Sequence, residues 1–405
     1  MGRLTRRGLA AALALAAAAS CGKRGEEVQG EAGLRDIVRQ MMPTVERATG
    51  LKFKRVPAVA RRTREQVREY LIHTLDAELP QAELANIQAA YRHFGLLPDS
   101  FDLRRNMIDL LTEQVAGYYD PDSGTLFIPA DVDSLKLRTI VIPHELVHAL
   151  QDQYLPLDSV MHQQHQNDRR SAGEAIFEGQ ATLAQIRILM PEQPVDDLPS
   201  FLDQRGIIAQ QQEQFPSFSN SPLWLRETLI FPYLGGADFV RWFDAAHPGK
   251  QPYGALMPTS TAQILHPERY AAHDRPVQLA FAHPGADGVR YEDDLGEFET
   301  RLLFEQLLGV GAEADLLASG WAGDRYAVLG PDAGALVWYS VWQDPAAAAR
   351  FTGGLKRAWA RRARPGFTAR IDTLTLGGHP GVRLVDAPAA WRGWSRLPTV
   401  QIVSP

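Results

Sequence analysis

Cysteine is almost missing from this chain: Cys21 is the single one among 405 residues. No internal disulfide can form, so the fold must rest on its apolar core rather than on covalent staples. Long apolar runs are scarce as well. Outside residues 8–19 nothing approaches the roughly 20 residues that cross a bilayer, and that stretch is itself too short. An excess of positive charge is also lacking. With 42 Lys and Arg against 48 Asp and Glu, the formal charge is −6, which argues against nucleic acid as a partner. There is no internal repeat, which sets repeat architectures aside. What is present is 45% apolar residues, eight Trp and eleven Tyr, enough for sizeable cores in two or three domains.

The lone cysteine has a telling place. The chain opens MGRLTRRGLAAALALAAAASCGKRG, with Arg3, Arg6 and Arg7 ahead of the small-residue apolar stretch. This pattern reads as a secretory signal over residues 1–21. Thr5-Arg6-Arg7 resembles the start of a twin-arginine signal, and Ala18-Ala19-Ser20-Cys21 resembles a bacterial lipobox with alanine where leucine is usual. The expectation is lipid attachment at Cys21, a polar Gly-rich tether over 22–33, and a position in the cell envelope outside the cytoplasm. An ordinary cleavage site nearby, releasing a free secreted protein, is the alternative.

The chemistry concentrates in VIPHELVHALQDQY, residues 141–154. In a helix, His144 and His148 lie one above the other, roughly 6 Å apart along the axis. Two imidazoles so placed can share one zinc at about 2.0–2.1 Å. Glu145 is turned about 100° away and is suited to reach a water rather than the ion. Pro143 is tolerated only in a first turn, which predicts a helix start near Thr139 as N-cap. By chance this motif occurs in about one chain in a hundred of this length, so a third ligand is needed as support.

SAGEAIFEGQATLA, residues 171–184, has helical spacing and carries Glu174 and Glu178 four apart on one face. Either can complete a two-histidine, one-glutamate site with one position open for catalysis. Together, His144-Glu145-Leu146-Val147-His148 and Glu178-Gly179-Gln180-Ala181 resemble the gluzincin zinc metallopeptidases over about 45 residues. The wider chain resembles an uncharacterised group of bacterial lipoproteins with a His-Glu-Leu-x-His-Ala-Leu-Gln-Asp-Gln run. The resemblance implies His144, His148 and Glu178 as zinc ligands and Glu145 as general base, with Glu174 as a supporting carboxylate one turn earlier. Thr182 stands where the thermolysin branch has a histidine-orienting aspartate, so Thr182 or Asp152 is expected in that role. For the donor that stabilises the tetrahedral oxyanion, Tyr154, Tyr253, His266 and Tyr270 are candidates. TSTAQILHPERY (259–270) resembles a recurrent segment of the same lipoprotein group and favours His266 or Tyr270. His162 and His165 read as solvated loop.

VAGYYDPDSGTLFIP (115–129) reads as a β-hairpin around Asp-Pro-Asp-Ser-Gly. The resemblance implies that an edge strand here pairs with the substrate backbone. Residues 34–112 read as four helices, one opened by a Thr63-x-x-Gln66 capping box. The core is expected over 113–245, with a buried helix at 232–243 and cleft-wall loops over 246–290. The segment 291–405 reads as an amphipathic helix followed by a β-β-α-β-β unit, its sheet covered on one face. Within it, Gly320–Tyr326 is expected as a tight turn in which Asp324 and Arg325 pair. The expected class is α+β, a mainly helical zincin-like domain over 34–290 with a short β-hairpin or sheet, and a C-terminal α+β domain. The expected function is a membrane-tethered, zinc-dependent peptidase acting on peptides or proteins. A catalytically silent envelope scaffold or chaperone of the same fold, and a zinc amidase acting on cell-wall material, are the alternatives.

Overall fold

Helices and strands in this protein are set by turns and caps near the site. The structure, a computed structural model, describes residues 30–155, 165–283, 285, 287–309, 311–362 and 364–403. The expected signal segment 1–21, Cys21, most of the tether and His162 lie outside the described residues.

The fold is α+β, as expected. The N-terminal part holds α1 (Gly30–Thr49), α2 (Arg64–Glu78), α3 (Gln81–Phe94) and α4 (Leu103–Gln114). The capping box is present: Thr63 accepts from the Gln66 amide and the Gln66 side chain accepts from the Thr63 amide. β2 (Tyr118–Asp120) and β3 (Thr125–Pro129) form the expected hairpin. A strand that the sequence reading missed, β1 (Ala58–Arg62), pairs parallel with β3, so β2 lies at the edge of a sheet ordered β1-β3-β2.

The motif helix starts earlier than expected. Asp133, not Thr139, is the cap: its carboxylate accepts from the amides of Leu135 and Lys136 at 2.9 and 3.1 Å. A π-turn over Leu137–Val141 then leads into α5 (Ile142–Asp152). There the Ile142 amide donates to Leu137 O, five residues back. Pro143 has no amide to offer, and the wider turn absorbs that mismatch without ending the helix. Thr139 sits inside, its hydroxyl donating to Leu135 O.

α6 (Asn167–Leu189) and α7 (Leu223–Ala246) pack closely against one another. α7 extends the expected 232–243 helix in both directions. The expected cleft-wall loops contain α8 (Thr261–Leu265), α9 (Pro267–Ala271) and β4 (Gln278–His283). After them come β5 (Val289–Asp293), α10 (Gly296–Leu308) and α11 (Gly311–Ala318). α10 is buried on nearly every side rather than amphipathic, and Glu292 belongs to β5 instead.

The β-β-α-β-β order is present as β6 (Trp321–Leu329), β7 (Ala335–Trp342), α12 (Pro345–Arg362), β8 (Phe367–Leu376) and β9 (His379–Pro388). Asp344 caps α12 through the Ala347 amide at 2.8 Å. With β5 these strands make a five-stranded antiparallel sheet, β5-β6-β7-β9-β8. Contrary to expectation, both faces are covered. Phe351 of α12 packs on Trp338 and Trp342 on one side, while Leu279 and Phe281 of β4 and Val400 of β10 (Thr399–Val403) lie on the other. Every residue of β7 is buried, which a sheet with one wet face does not allow.

Gly320–Tyr326 is not a tight turn but the entry into β6, and Asp324 and Arg325 do not pair. Neighbours in a strand point to opposite faces. Asp324 accepts from the Leu295 and Gly296 amides and from the indoles of Trp321 and Trp338. Arg325 instead reaches Glu292 at 2.7 Å and the carbonyl of His165, which makes His165 a half-buried joint rather than solvated loop.

This corner clamps the start of α6, which has no side-chain cap of its own. Asp293 and Asp294 accept from the Asn167 and Asp168 amides at 2.9 and 2.7 Å, taking up two of the free donors at the start of the helix. Glu299 nearby accepts from Tyr91 and Trp224, and burial pushes its carboxyl up to about 7. Burial likewise raises Asp168 and Asp324. A carboxyl with a raised folded pKa holds a proton that the unfolded chain releases above about pH 4, so its contribution is complete at low pH and lost as pH rises toward 7. The melting temperature of chelator-treated protein is therefore expected to fall by roughly 3–6 °C between pH 5 and pH 8. Glu299→Gln should flatten that decline. A melting temperature that climbs over the same range contradicts this account.

Candidate metal centre

α5 and α6 bring the predicted ligands together. His144 Nε2, His148 Nε2 and Glu178 Oε2 converge, with separations of 3.2 Å between the imidazoles and 3.1 and 3.5 Å to the carboxylate. All three residues are buried, and they form a group that could hold a metal ion. Tetrahedral ligands at about 2.05 Å from a zinc-sized ion stand about 3.3 Å apart, so the observed spacings suit such an ion. Burial favours the neutral carboxyl of Glu178, yet His148 and His144 outweigh it and hold the group down to about 2.

Glu145 lies against this group, within the influence of His148 and Glu178. It is fully buried, and neither carboxylate oxygen has a hydrogen-bond partner among the described residues. Burial lifts its carboxyl to about 8. The Tyr119 amide of edge strand β2 opposes that rise from nearby without completing a hydrogen bond. A buried carboxyl without partners is costly, and a ligand or water of the working site is the ordinary resolution.

The partner that orients a ligand is neither Asp152 nor Thr182. His148 Nδ1 meets Gln151 Oε1 at 2.9 Å. Gln151 Nε2 donates to Phe177 O and to Gln180 Oε1, both at 3.0 Å. The Phe177 carbonyl can only accept, so the amide group of Gln151 must face it. Gln151 Oε1 then accepts from His148 Nδ1–H, leaving the Nε2 lone pair bare for a metal. The chain continues outward through Gln180 to Gln251, whose amide donates to Thr49 O at 3.2 Å. Tyr253 also donates to Gln180, so it stands behind the site. Gln151→Ala is expected to weaken metal binding about 10–100-fold, read by competition with a chelator of known affinity. Wild-type affinity in that variant would remove the orienting role.

Asp152 serves the neighbouring strand instead. It accepts from Tyr119 Oη of β2 at 2.8 Å and from Arg55 at 2.9 Å. Among the described residues the side-chain hydrogen-bond partners of the two histidines are Glu178, Gln151 and each other, not Thr182. Glu174 lies one turn before Glu178; burial raises its carboxyl, Arg170 opposes this, and the Glu178 charge adds to the rise. Tyr154 sits at the exposed end beyond α5, donating to Lys52 O. His266 and Tyr270 are not brought to the ligand triad. His266 Nε2 donates to Glu297 Oε1 at 2.7 Å, and Tyr270 Oη donates to Leu256 O. The aromatic residue that does reach the site is Tyr233 of α7, stacked on the His144 ring at 6.0 Å. Nothing in the local sequence marks it, because α7 meets α5 only through tertiary packing.

Among the described residues no helix is long and apolar enough to cross a membrane. Comparison with solved structures finds a protein from Chloroflexus aurantiacus described as a "putative hydrolase with a novel fold". The likeness has a TM-score of 0.35 and 18% identity, covering 63% of this chain and 92% of that one. At that distance it says nothing of this chain's activity. No curated protein matches the chain. Residues 286–383, the unit that clamps α6, match a family described as a domain of unknown function (DUF8575).

Proposed function

We propose that this protein is a zinc-dependent peptidase of gluzincin type. The observation that carries the reading is the unpartnered, buried Glu145 beside a His144–His148–Glu178 group with tetrahedral ligand spacing. His144, His148 and Glu178 would hold a divalent ion, which would supply Lewis acidity for the carbonyl and the water and would favour the ionised form of Glu145. Glu145 takes the proton of the attacking water at a carboxylate oxygen and delivers it to the leaving amine. Gln151 keeps His148 in the tautomer that binds. The edge strand β2, tied to α5 through Tyr119 and Asp152, offers backbone groups to an extended peptide. A base with no structural partner favours an enzyme over a silent scaffold, since a purely structural metal site has no use for one.

The natural setting that fits this reading is the cell envelope outside the cytoplasm, at a periplasmic or extracellular face, with a lipid on Cys21 and peptides or proteins as substrates. Metal analysis of the purified protein, with a peptide-library digest with and without chelator, tests the reading. Stoichiometric zinc and chelator-sensitive cleavage of peptides are expected. Zinc without cleavage of any peptide favours the scaffold, and cleavage confined to cell-wall amides favours the amidase.

A further inference from the structure

Charge is unevenly shared along this chain. Residues 345–405 hold ten Lys and Arg against two Asp and Glu, a formal +8, so the rest of this −6 chain carries −14. An asymmetry of that size points to a polyanionic partner for one side of the molecule.

Much of the surplus lies on α12, which contains no Asp or Glu. Its inner face is buried, with Phe351 packed on Trp338 and Trp342 of the sheet. Its outer face carries Arg350, Arg357 and Arg361. At 3.6 residues per turn these three fall within roughly 40° of one another, over a rise of roughly 17 Å. Lys356 flanks the row. All four are exposed, and so are the small residues Ala346, Gly353 and Ala360 around them, so the cations stand clear. Of the four, only Arg357 meets a carboxylate, that of Glu313. Arg361 donates to Leu308 O at 2.8 Å. Arg350 and Lys356 have no hydrogen-bond or ion-pair partner among the described residues. The two acids of the segment do not compensate, because Asp372 is held by Arg383, and Asp386 by His93 and Arg364.

We propose that the outer face of α12 docks on an anionic phospholipid surface, with Arg350, Lys356 and Arg361 at the level of the headgroups. The overall charge of −6 does not oppose this. At physiological ionic strength charges are screened over about 8 Å, so the lipid feels the side that faces it and not the whole molecule. The acidic remainder turns away, which fixes the orientation. The secretory reading of the leader selects phospholipid over nucleic acid as the anionic surface at hand, and the proposal rests on that reading for its choice of partner alone. It is independent of the metal centre.

Sedimentation with vesicles tests it, comparing equal parts of phosphatidylglycerol and phosphatidylcholine with phosphatidylcholine alone. The protein is the processed chain with Cys21→Ser as its first residue, so that neither leader nor lipid contributes. At low salt it should bind the mixed vesicles at least tenfold more tightly than phosphatidylcholine, and high salt should release it. Each cation near such a surface strengthens binding about fivefold, so Arg350→Gln with Lys356→Gln should weaken it at least tenfold. Arg35→Gln with Arg39→Gln, at exposed positions on α1, removes as much charge and should leave binding within twofold. The proposal is overturned if the mixed vesicles are not preferred, if the α12 pair binds like the wild type, or if the α1 pair loses as much. Tighter binding to duplex DNA than to the mixed vesicles at the same salt also overturns it and makes nucleic acid the partner.

Discussion

Glu145→Gln is expected to lower turnover by a factor of about 10²–10⁴ while leaving metal content at the wild-type level. Glutamine has nearly the same shape, so the packing of Gly117 and Val141 around this position need not change. It offers an amide where the carboxylate stood and so cannot accept the water's proton. The ligand group contains His144, His148 and Glu178 but not Glu145, so nothing that holds the ion is removed. His148→Ala and Glu178→Ala should behave in the opposite way, losing metal and turnover together. Elemental analysis and a chelator-controlled digest of the three variants separate the roles. Metal loss in Glu145→Gln makes that residue a ligand, and full turnover in it removes the general base from the account.

The parts of this site that could be read from the sequence are those set by local geometry. His144 and His148 share a face because a helix repeats every 3.6 residues, and Gln151, three residues after His148, lies within reach for the same reason. Choosing between Glu174 and Glu178 was different. They are one turn apart on one face, and only the packing of α6 against α5 decides which reaches the imidazoles. The outer end of the amide chain could not be foreseen, because Gln251 and Thr49 are some 200 positions apart and meet only in the fold. Pro143 points to a helix start near Thr139, whereas the π-turn before it carries the helix back to its cap at Asp133. In the C-terminal unit, alternation marked the strands correctly. What it could not give was the second cover of the sheet, because β4 comes from a stretch that read as loop and β10 pairs with it from the end of the described chain.

Gly179→Ala is expected to cost about 3 kcal/mol or more in stability, the upper end of the overpacking range, and to weaken metal binding at least tenfold. Glycine in a helix interior costs up to about 1 kcal/mol relative to alanine, so its presence there needs a reason. Here the reason is contact between backbones. A Cβ on Gly179 would overlap the carbonyl group of Gly236 on α7, and one on Gly236 would overlap the Ala175 carbonyl on α6. Backbone cannot step aside as a flexible side chain does, so the two helices must part by roughly 1 Å to restore van der Waals contact. Glu178 is the adjacent residue, and metal–ligand distances tolerate only about 0.2 Å. Tyr233 on α7, stacked on His144, moves with the same displacement. The lost stability and the lost metal affinity thus have one cause. Gly206→Ala supplies the contrast: it too lies in a helix, a Cβ there meets nothing within 4 Å, and a gain of up to about 1 kcal/mol is expected. Chemical denaturation and metal competition read both effects. A Gly179→Ala protein with the stability and metal affinity of the wild type would mean that α6 and α7 do not approach as closely as the ligand geometry requires.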